Sequence, residues 1–153
     1  MSLEVITTIS PSTNKPVLKR NGLSAGEVAT LCQNAEAAFK LFKQTSLAER
    51  QKIVKAALKL LEKKQDELAK ELTEQMGRPI AYTAKEVKTA VARAEYLLKI
   101  SEEALADTPG EPEKGFNRLI KKVPVGPILI IFAWNVSLQI LIINPLVNTE
   151  SDT

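Results

Sequence analysis

No histidine occurs anywhere in the 153 residues, which removes every His-based triad, His metal ligand and His general base from the chemistry open to this chain. Only one cysteine is present, Cys32, so no intramolecular disulfide can form, and a reducing compartment suits the chain. G-x-G-x-x-G, G-x-x-x-x-G-K-[ST], paired Cys or His sets and nucleophile-elbow serines are all missing. The opening MSLEVITTIS has neither a basic n-region nor a long apolar h-region, so no secretory signal is expected. Charge is missing from one long stretch: Val123 to Asn148 carries no Lys, Arg, Asp or Glu.

Elsewhere charge is plentiful but balanced. The net charge of +3 is the difference between 21 basic and 18 acidic residues, interspersed along the chain, so no basic stripe for nucleic acid emerges. With 44% hydrophobic and 25% charged residues the composition is globular rather than disordered.

Taken in order, Glu4 to Ile9 and Pro16 to Arg20 are β-rich and flank the turn-forming SPSTNK, which predicts an N-terminal hairpin. Ser24 with Glu27 forms a capping-box pattern opening a helix whose apolar face comprises Val28, Leu31, Cys32, Ala35, Phe39 and Phe42. Cys32 falls on that face, which favours a small core residue over a nucleophile. Ser46 and Glu49 repeat the device. The helix they open is expected to bury Ile53, Ala57, Leu60 and Leu61, to break at the polar patch Lys63 to Asp66, and to continue with Leu68 and Leu72 until Gly77 and Pro79 stop it. A third helix is expected from about Ala81 to Ala106, with Val87, Ala90, Val91, Ala94, Leu98 and Leu105 inward and its Lys and Glu residues on a solvated face. DTPGEPEKG, from Asp107 to Gly115, reads as a connecting loop, and Phe116 to Val123 as an exposed or edge strand. The polar end TESDT is expected to fray.

The charge-free stretch organises the rest. Pro124, Gly126 and Pro127 punctuate its start, and Ile128 to Phe132 then form a β-branched apolar run that predicts a strand buried on both faces. Ile140, Leu141 and Ile143 beyond it suit either a helix, capped by Asn135 or Ser137, or a second strand. A strand end running through a polar residue into a helix is where α/β proteins bind ligands, while plain hydrophobic core accounts for the same residues. A membrane span is disfavoured by the interruptions at Pro124, Gly126, Pro127, Asn135, Ser137, Gln139, Asn144 and Pro145.

Four ordered segments, ISPSTNKPV, LAERQKIVKAALKLLEKKQDELAKELTEQMGRPI, KEVKTAVARAEYLL and VPVGPILIIFAWN, resemble the N-terminal part of the aldehyde dehydrogenase superfamily, over nearly the whole chain up to Asn135. The resemblance implies an α/β fold, namely the N-terminal part of a modified Rossmann domain, helix-rich with a hairpin and an arm strand; residues 1–153 would form a single partial domain. It further implies an NAD or NADP cofactor held without the glycine fingerprint, with Ile131, Phe132, Ala133, Trp134 and Asn135 along it. Asn135 matches the family asparagine that follows tryptophan, whose amide donates to the oxyanion formed on the aldehyde. Val136 and Ser137 stand where the family has an aromatic residue and a proline. The family's cysteine nucleophile, general-base glutamate and cofactor-binding lysine and acidic residue have no counterparts here, and Cys32 matches no catalytic motif. The expectation is therefore a cytoplasmic fragment of an enzyme oxidising aldehydes to carboxylic acids, inactive by itself, with a homo-oligomer or a full-length subunit as partner. The alternatives are a non-catalytic module that docks on a full-length subunit, or a membrane-associated protein.

Overall fold

The computed structural model describes residues 4–131. Two strands, β1 (Val5–Ile9) and β2 (Pro16–Asn21), open the chain as an antiparallel hairpin in the register Val5 opposite Asn21 and Thr8 opposite Leu18, with an irregularity between Thr8 and Ile9. Its turn is closed by two backbone bonds, Ser10 N–H donating to Lys15 O and Asn14 N–H to Ser10 O, with Asn14 in the left-handed region at φ 55°. Asparagine tolerates that conformation because its short amide can bond locally.

Four helices follow: α1 (Ala25–Phe42), α2 (Leu47–Lys63), α3 (Gln65–Met76) and α4 (Ile80–Ala104). Both expected capping boxes form, at Ser24 with Glu27 and at Ser46 with Glu49. The expected break also forms, because Lys64 at φ −96° and ψ 12° leaves helical geometry and separates α2 from α3. Gly77 closes α3 at φ 72°, and its N–H donates to Thr73 O. The hairpin turn rests on this glycine so closely that a Cβ there would lie 2.6 Å from Pro11 Cγ.

The core lies where α2 and α3 pack along α4. Leu58, Ala90, Val91, Ala94 and Leu98 form one cluster, flanked by Val54 and Leu61. Small residues at positions 90 and 94 let the neighbouring helix approach, and each buried leucine contributes roughly 1.5–3 kcal/mol by leaving water. Gln51 Nε2 donates to Ser101 Oγ at 2.8 Å, and Ser101 Oγ donates to Leu98 O at 2.8 Å, which satisfies the polar groups at the far end of the core.

Several expectations are corrected. The α2 stripe is Gln51, Val54, Leu58 and Leu61, whereas Ile53, Ala57 and Leu60 are exposed. This helix has two apolar stripes side by side, and α4 covers one of them. No residue of α1 is buried, and Cys32 is exposed rather than a core residue, because no described element packs closely on that helix face. Glu86 is buried, not part of a solvated face. Between Phe116 and Val123 only β4 (Leu119–Ile120) is paired, antiparallel to β3 (Thr108–Pro109), which lies inside the expected loop. Residues 128–131 form no strand: Ile128, Leu129 and Ile131 are exposed, and no described strand lies beside them to complete a ladder. Phe132, the expected elements beyond it and TESDT lie outside the described residues.

Candidate functional site

The segment that leads to the expected site is fixed at its start by Lys122, whose Nζ donates to Ala104 O at 2.7 Å. A lysine on the terminal carbonyls of α4 also complements the negative end of that helix. From Lys121 to Gly126 exposed and half-buried residues then alternate, so that Lys122, Pro124 and Gly126 face the protein and Val123 and Val125 face outward. That period of two is the signature of a strand-like backbone. Gly126 has φ 145°, a conformation open to glycine, and it lets the chain turn between two prolines.

Pro124, Gly126, Pro127 and Ile128 form one wall of a cavity of about 650 Å³ whose other walls are the C-terminal half of α1 and the first turn of α2. Phe39, Leu41 and Phe42 are among its apolar lining residues, and Lys43 and Arg50 are its charged ones among the described residues. Lys43 Nζ sits 5.7 Å from the centroid of the Phe39 ring. Of the sequence-predicted site residues the structure describes Ile131, which is 85% exposed; Phe132, Ala133, Trp134 and Asn135 lie outside the described residues.

Elsewhere among the described residues, two helix starts and an ion pair with a buried carboxylate stand out. Glu27 is held below its ordinary value of 4.5, first by the Ser24 hydroxyl and then by the Ser24 backbone N–H. For Glu49 the Ser46 backbone N–H leads and the hydroxyl follows. Arg78 Nη1 donates to Glu86 Oε2 at 2.5 Å, and Glu86 Oε1 has no partner among the described residues. The signal for burying Glu86 was available, since it lies three residues after Thr83 and four before Ala90 on the inward stripe of α4. No group of three or more His, Cys, Asp or Glu that could hold a metal ion occurs among the described residues.

Comparison with known proteins accounts for the ordering of these parts. The family model described as "Aldehyde dehydrogenase family" matches residues 1–146. This chain belongs to the aldehyde dehydrogenase family. The succinate-semialdehyde dehydrogenase [NADP(+)] 1 of Mycobacterium tuberculosis (strain H37Rv) is 30% identical over 132 residues, covering 85% of this chain and 29% of that enzyme. Among solved structures, the succinic semialdehyde dehydrogenase of Streptococcus pyogenes in complex with NADP+ superimposes with a TM-score of 0.81 at 24% identity, over 89% of this chain and 30% of the other. A salicylaldehyde dehydrogenase from Pseudomonas putida G7 gives a TM-score of 0.84 at 19% identity, over 95% of this chain and 31% of that one. The fold is thus that of the N-terminal portion of an aldehyde dehydrogenase Rossmann-type domain, and the chain spans under a third of these relatives.

Proposed function

We propose that this chain supplies the N-terminal portion of an NAD(P)-dependent aldehyde dehydrogenase, which converts an aldehyde to a carboxylic acid, and that by itself it does not turn over. The family match over residues 1–146 carries this reading. NAD(P) accepts a hydride when bound. In this reading Ile131, Phe132, Ala133 and Trp134 line the cofactor and Asn135 donates its side-chain N–H to the oxygen on which negative charge develops. The exposed, uncharged side chain of Ile131 is compatible with an apolar wall for such a ring system. Cys32 takes no part, since it sits exposed in the middle of α1, far along the sequence from the cofactor-lining residues. A cytoplasmic location, an aldehyde substrate and a homo-oligomeric assembly belong to the same reading.

The test is aldehyde-dependent NAD(P)H formation by the purified 153-residue chain, with succinate semialdehyde among the substrates. No turnover is expected, because an oxyanion donor worth roughly 3–4 kcal/mol does not replace a covalent nucleophile. Turnover that persists in Cys32→Ala would overturn the assignment of the chain as a catalytically incomplete portion.

A second reading, a non-catalytic module docking on a full-length subunit, is favoured by one observation: Val28, Leu31 and Phe42 on α1 and Leu129 and Ile131 after the cavity are all exposed. Co-purification with a tagged full-length aldehyde dehydrogenase separates the two readings. The membrane alternative has no support from the described residues, none of whose helices is long and apolar enough to cross a bilayer.

A further inference from the structure

We propose that the outward face of α4, from Tyr82 to Lys99, is a docking surface for an acidic amphipathic helix of another protein. The inference goes beyond the proposed function and does not rest on it.

Acidic and basic residues alternate along the sequence, but the winding of α4 sorts its own. Tyr82, Lys85, Thr89, Arg93, Tyr96 and Lys99 recur at spacings of three and four, so they share one face, and all six are exposed. No carboxylate interrupts that face. Glu86 is buried on the opposite side, Glu95 winds about 100° away from Tyr96, and Glu103 comes only a turn beyond Lys99. Among the described residues Lys85, Arg93 and Lys99 enter no ion pair, whereas Lys40, Lys64, Arg78 and Arg118 each do.

The chain has two tyrosines, and both stand here, Tyr82 60% and Tyr96 52% exposed. Tyrosine and arginine carry much of the binding energy at protein interfaces, because a tyrosine ring buries a large area while its hydroxyl keeps a hydrogen bond. Arg93 Cζ lies 5.6 Å from the centroid of the Tyr96 ring, which holds both side chains ready for a partner. Between the rings the surface is low: Thr89 turns its hydroxyl back to Lys85 O at 2.9 Å, and Ala92 follows it. At 1.5 Å per residue the two rings are about 21 Å apart along the axis, room for a partner helix of several turns.

The unopposed cations require an acidic partner. That partner must satisfy its own backbone, since α4 uses its N–H and C=O groups internally and offers no edge on which a strand could pair. A helix with carboxylates and small apolar residues on one face meets both conditions. An anionic bilayer fits less well, because the face has no Leu, Ile or Phe to insert between its tyrosines. Single-stranded nucleic acid is bound in a groove that tracks its backbone, and the outward side of a helix is convex.

The experiment titrates the 153-residue chain into a fluorescein-labelled designed helix of about 18 residues with Glu and Ala repeated on one face, followed by anisotropy. Controls are the same peptide with Gln for Glu and a labelled single-stranded oligothymidylate. Saturable binding of one acidic peptide per chain is expected, with the Gln peptide about tenfold weaker or worse. Tyr82→Ala, Tyr96→Ala and Arg93→Gln should each weaken it about tenfold or more with unchanged helical ellipticity, since all three positions are exposed. Lys52→Gln combined with Lys59→Gln removes two exposed cations from α2 and should leave binding unchanged. Absence of saturable binding would overturn the proposal. So would equal losses from the α2 and α4 variants, which would show general attraction to positive charge, or tighter binding of the oligothymidylate that Tyr82→Ala and Tyr96→Ala abolish, which would assign the face to nucleic acid.

Discussion

Replacing Gly77 by alanine should be among the costliest single changes in this fold, although it adds one methyl group at a helix end. Two separate terms add. Gly77 holds φ 72° to close α3, and a Cβ in the left-handed region costs roughly 1–2 kcal/mol. The added Cβ would also stand 2.6 Å from Pro11 Cγ, well inside an ordinary carbon contact of about 3.5–4.0 Å, and forced overpacking of this kind costs about 1–3 kcal/mol. The sum, roughly 2–5 kcal/mol, is a large fraction of the ~5–15 kcal/mol that stabilises a domain. The terms separate in a double-mutant cycle. Pro11→Ala removes the offending Cγ and leaves Cβ at 3.4 Å from the new methyl, an ordinary contact, so in that background Gly77→Ala should cost only the backbone term of about 1–2 kcal/mol. Urea unfolding followed by helical ellipticity measures all four proteins. Equal costs in the two backgrounds would refute the close packing of the hairpin turn on α3, and a cost below about 0.5 kcal/mol in either would refute the left-handed cap.

In the complete enzyme of the proposed function, Asn135→Ala should lower kcat about a hundredfold or more with little change in cofactor affinity; wild-type kcat, where chemistry limits turnover, would remove the catalytic assignment. Arg78→Met should destabilise by roughly 1–3 kcal/mol, because it leaves the buried Glu86 carboxylate without a partner, and Arg78→Met combined with Glu86→Leu should recover most of that loss; both are read from urea midpoints. Glu27 and Glu49 have folded-state values below 4.5, so folding favours their ionised forms. The resulting stabilisation is complete above the ordinary carboxylate range and is lost as pH falls from about 4.5 through the lower folded-state values. An acid titration of ellipticity should show that loss reduced in the Glu27→Gln, Glu49→Gln double variant, and an identical profile would refute it.

Sequence read best where one side chain satisfies a backbone group within four residues of itself. Ser24 and Glu27, Ser46 and Glu49, Gly77 with Pro79, and the irregular Lys64 all did what their local chemistry predicts, because these preferences need no distant partner. Failures came where burial was the question. Ile53, Ala57 and Leu60 are as apolar as Val54, Leu58 and Leu61, and periodicity cannot say which of two adjacent stripes α4 will cover. Glu86 was assigned by charge to solvent, yet its place on the stripe and an arginine eight residues earlier bury it as half of an ion pair. The Thr108–Pro109 pairing was hidden by a loop-like composition, since a two-residue ribbon leaves almost no pattern. Of the candidate site, the residue types at 131–135 pointed to the family, while the cavity beside Arg50 depends on two stretches far apart in sequence, residues 35–50 and 124–128, and could not be seen before folding.

The contrast between the helices and residues 128–131 has a common physical cause. A helix satisfies its backbone N–H and C=O groups within itself, so α1 keeps its shape with no buried residue at all. A strand cannot do this. Ile128 to Ile131 carries the β-branched pattern of a buried strand, but its hydrogen bonds must come from neighbours that are not among the described strands. Its exposed isoleucine and leucine side chains likewise need a covering layer. In the proposed function the cofactor wall at residues 131–135 therefore becomes a wall only when another strand pairs beside it. Lys122 and the alternation up to Gly126 set the direction of the chain beforehand. Helical scaffold and strand guide are thus specified locally, whereas the site of the proposed function would be a product of sheet assembly.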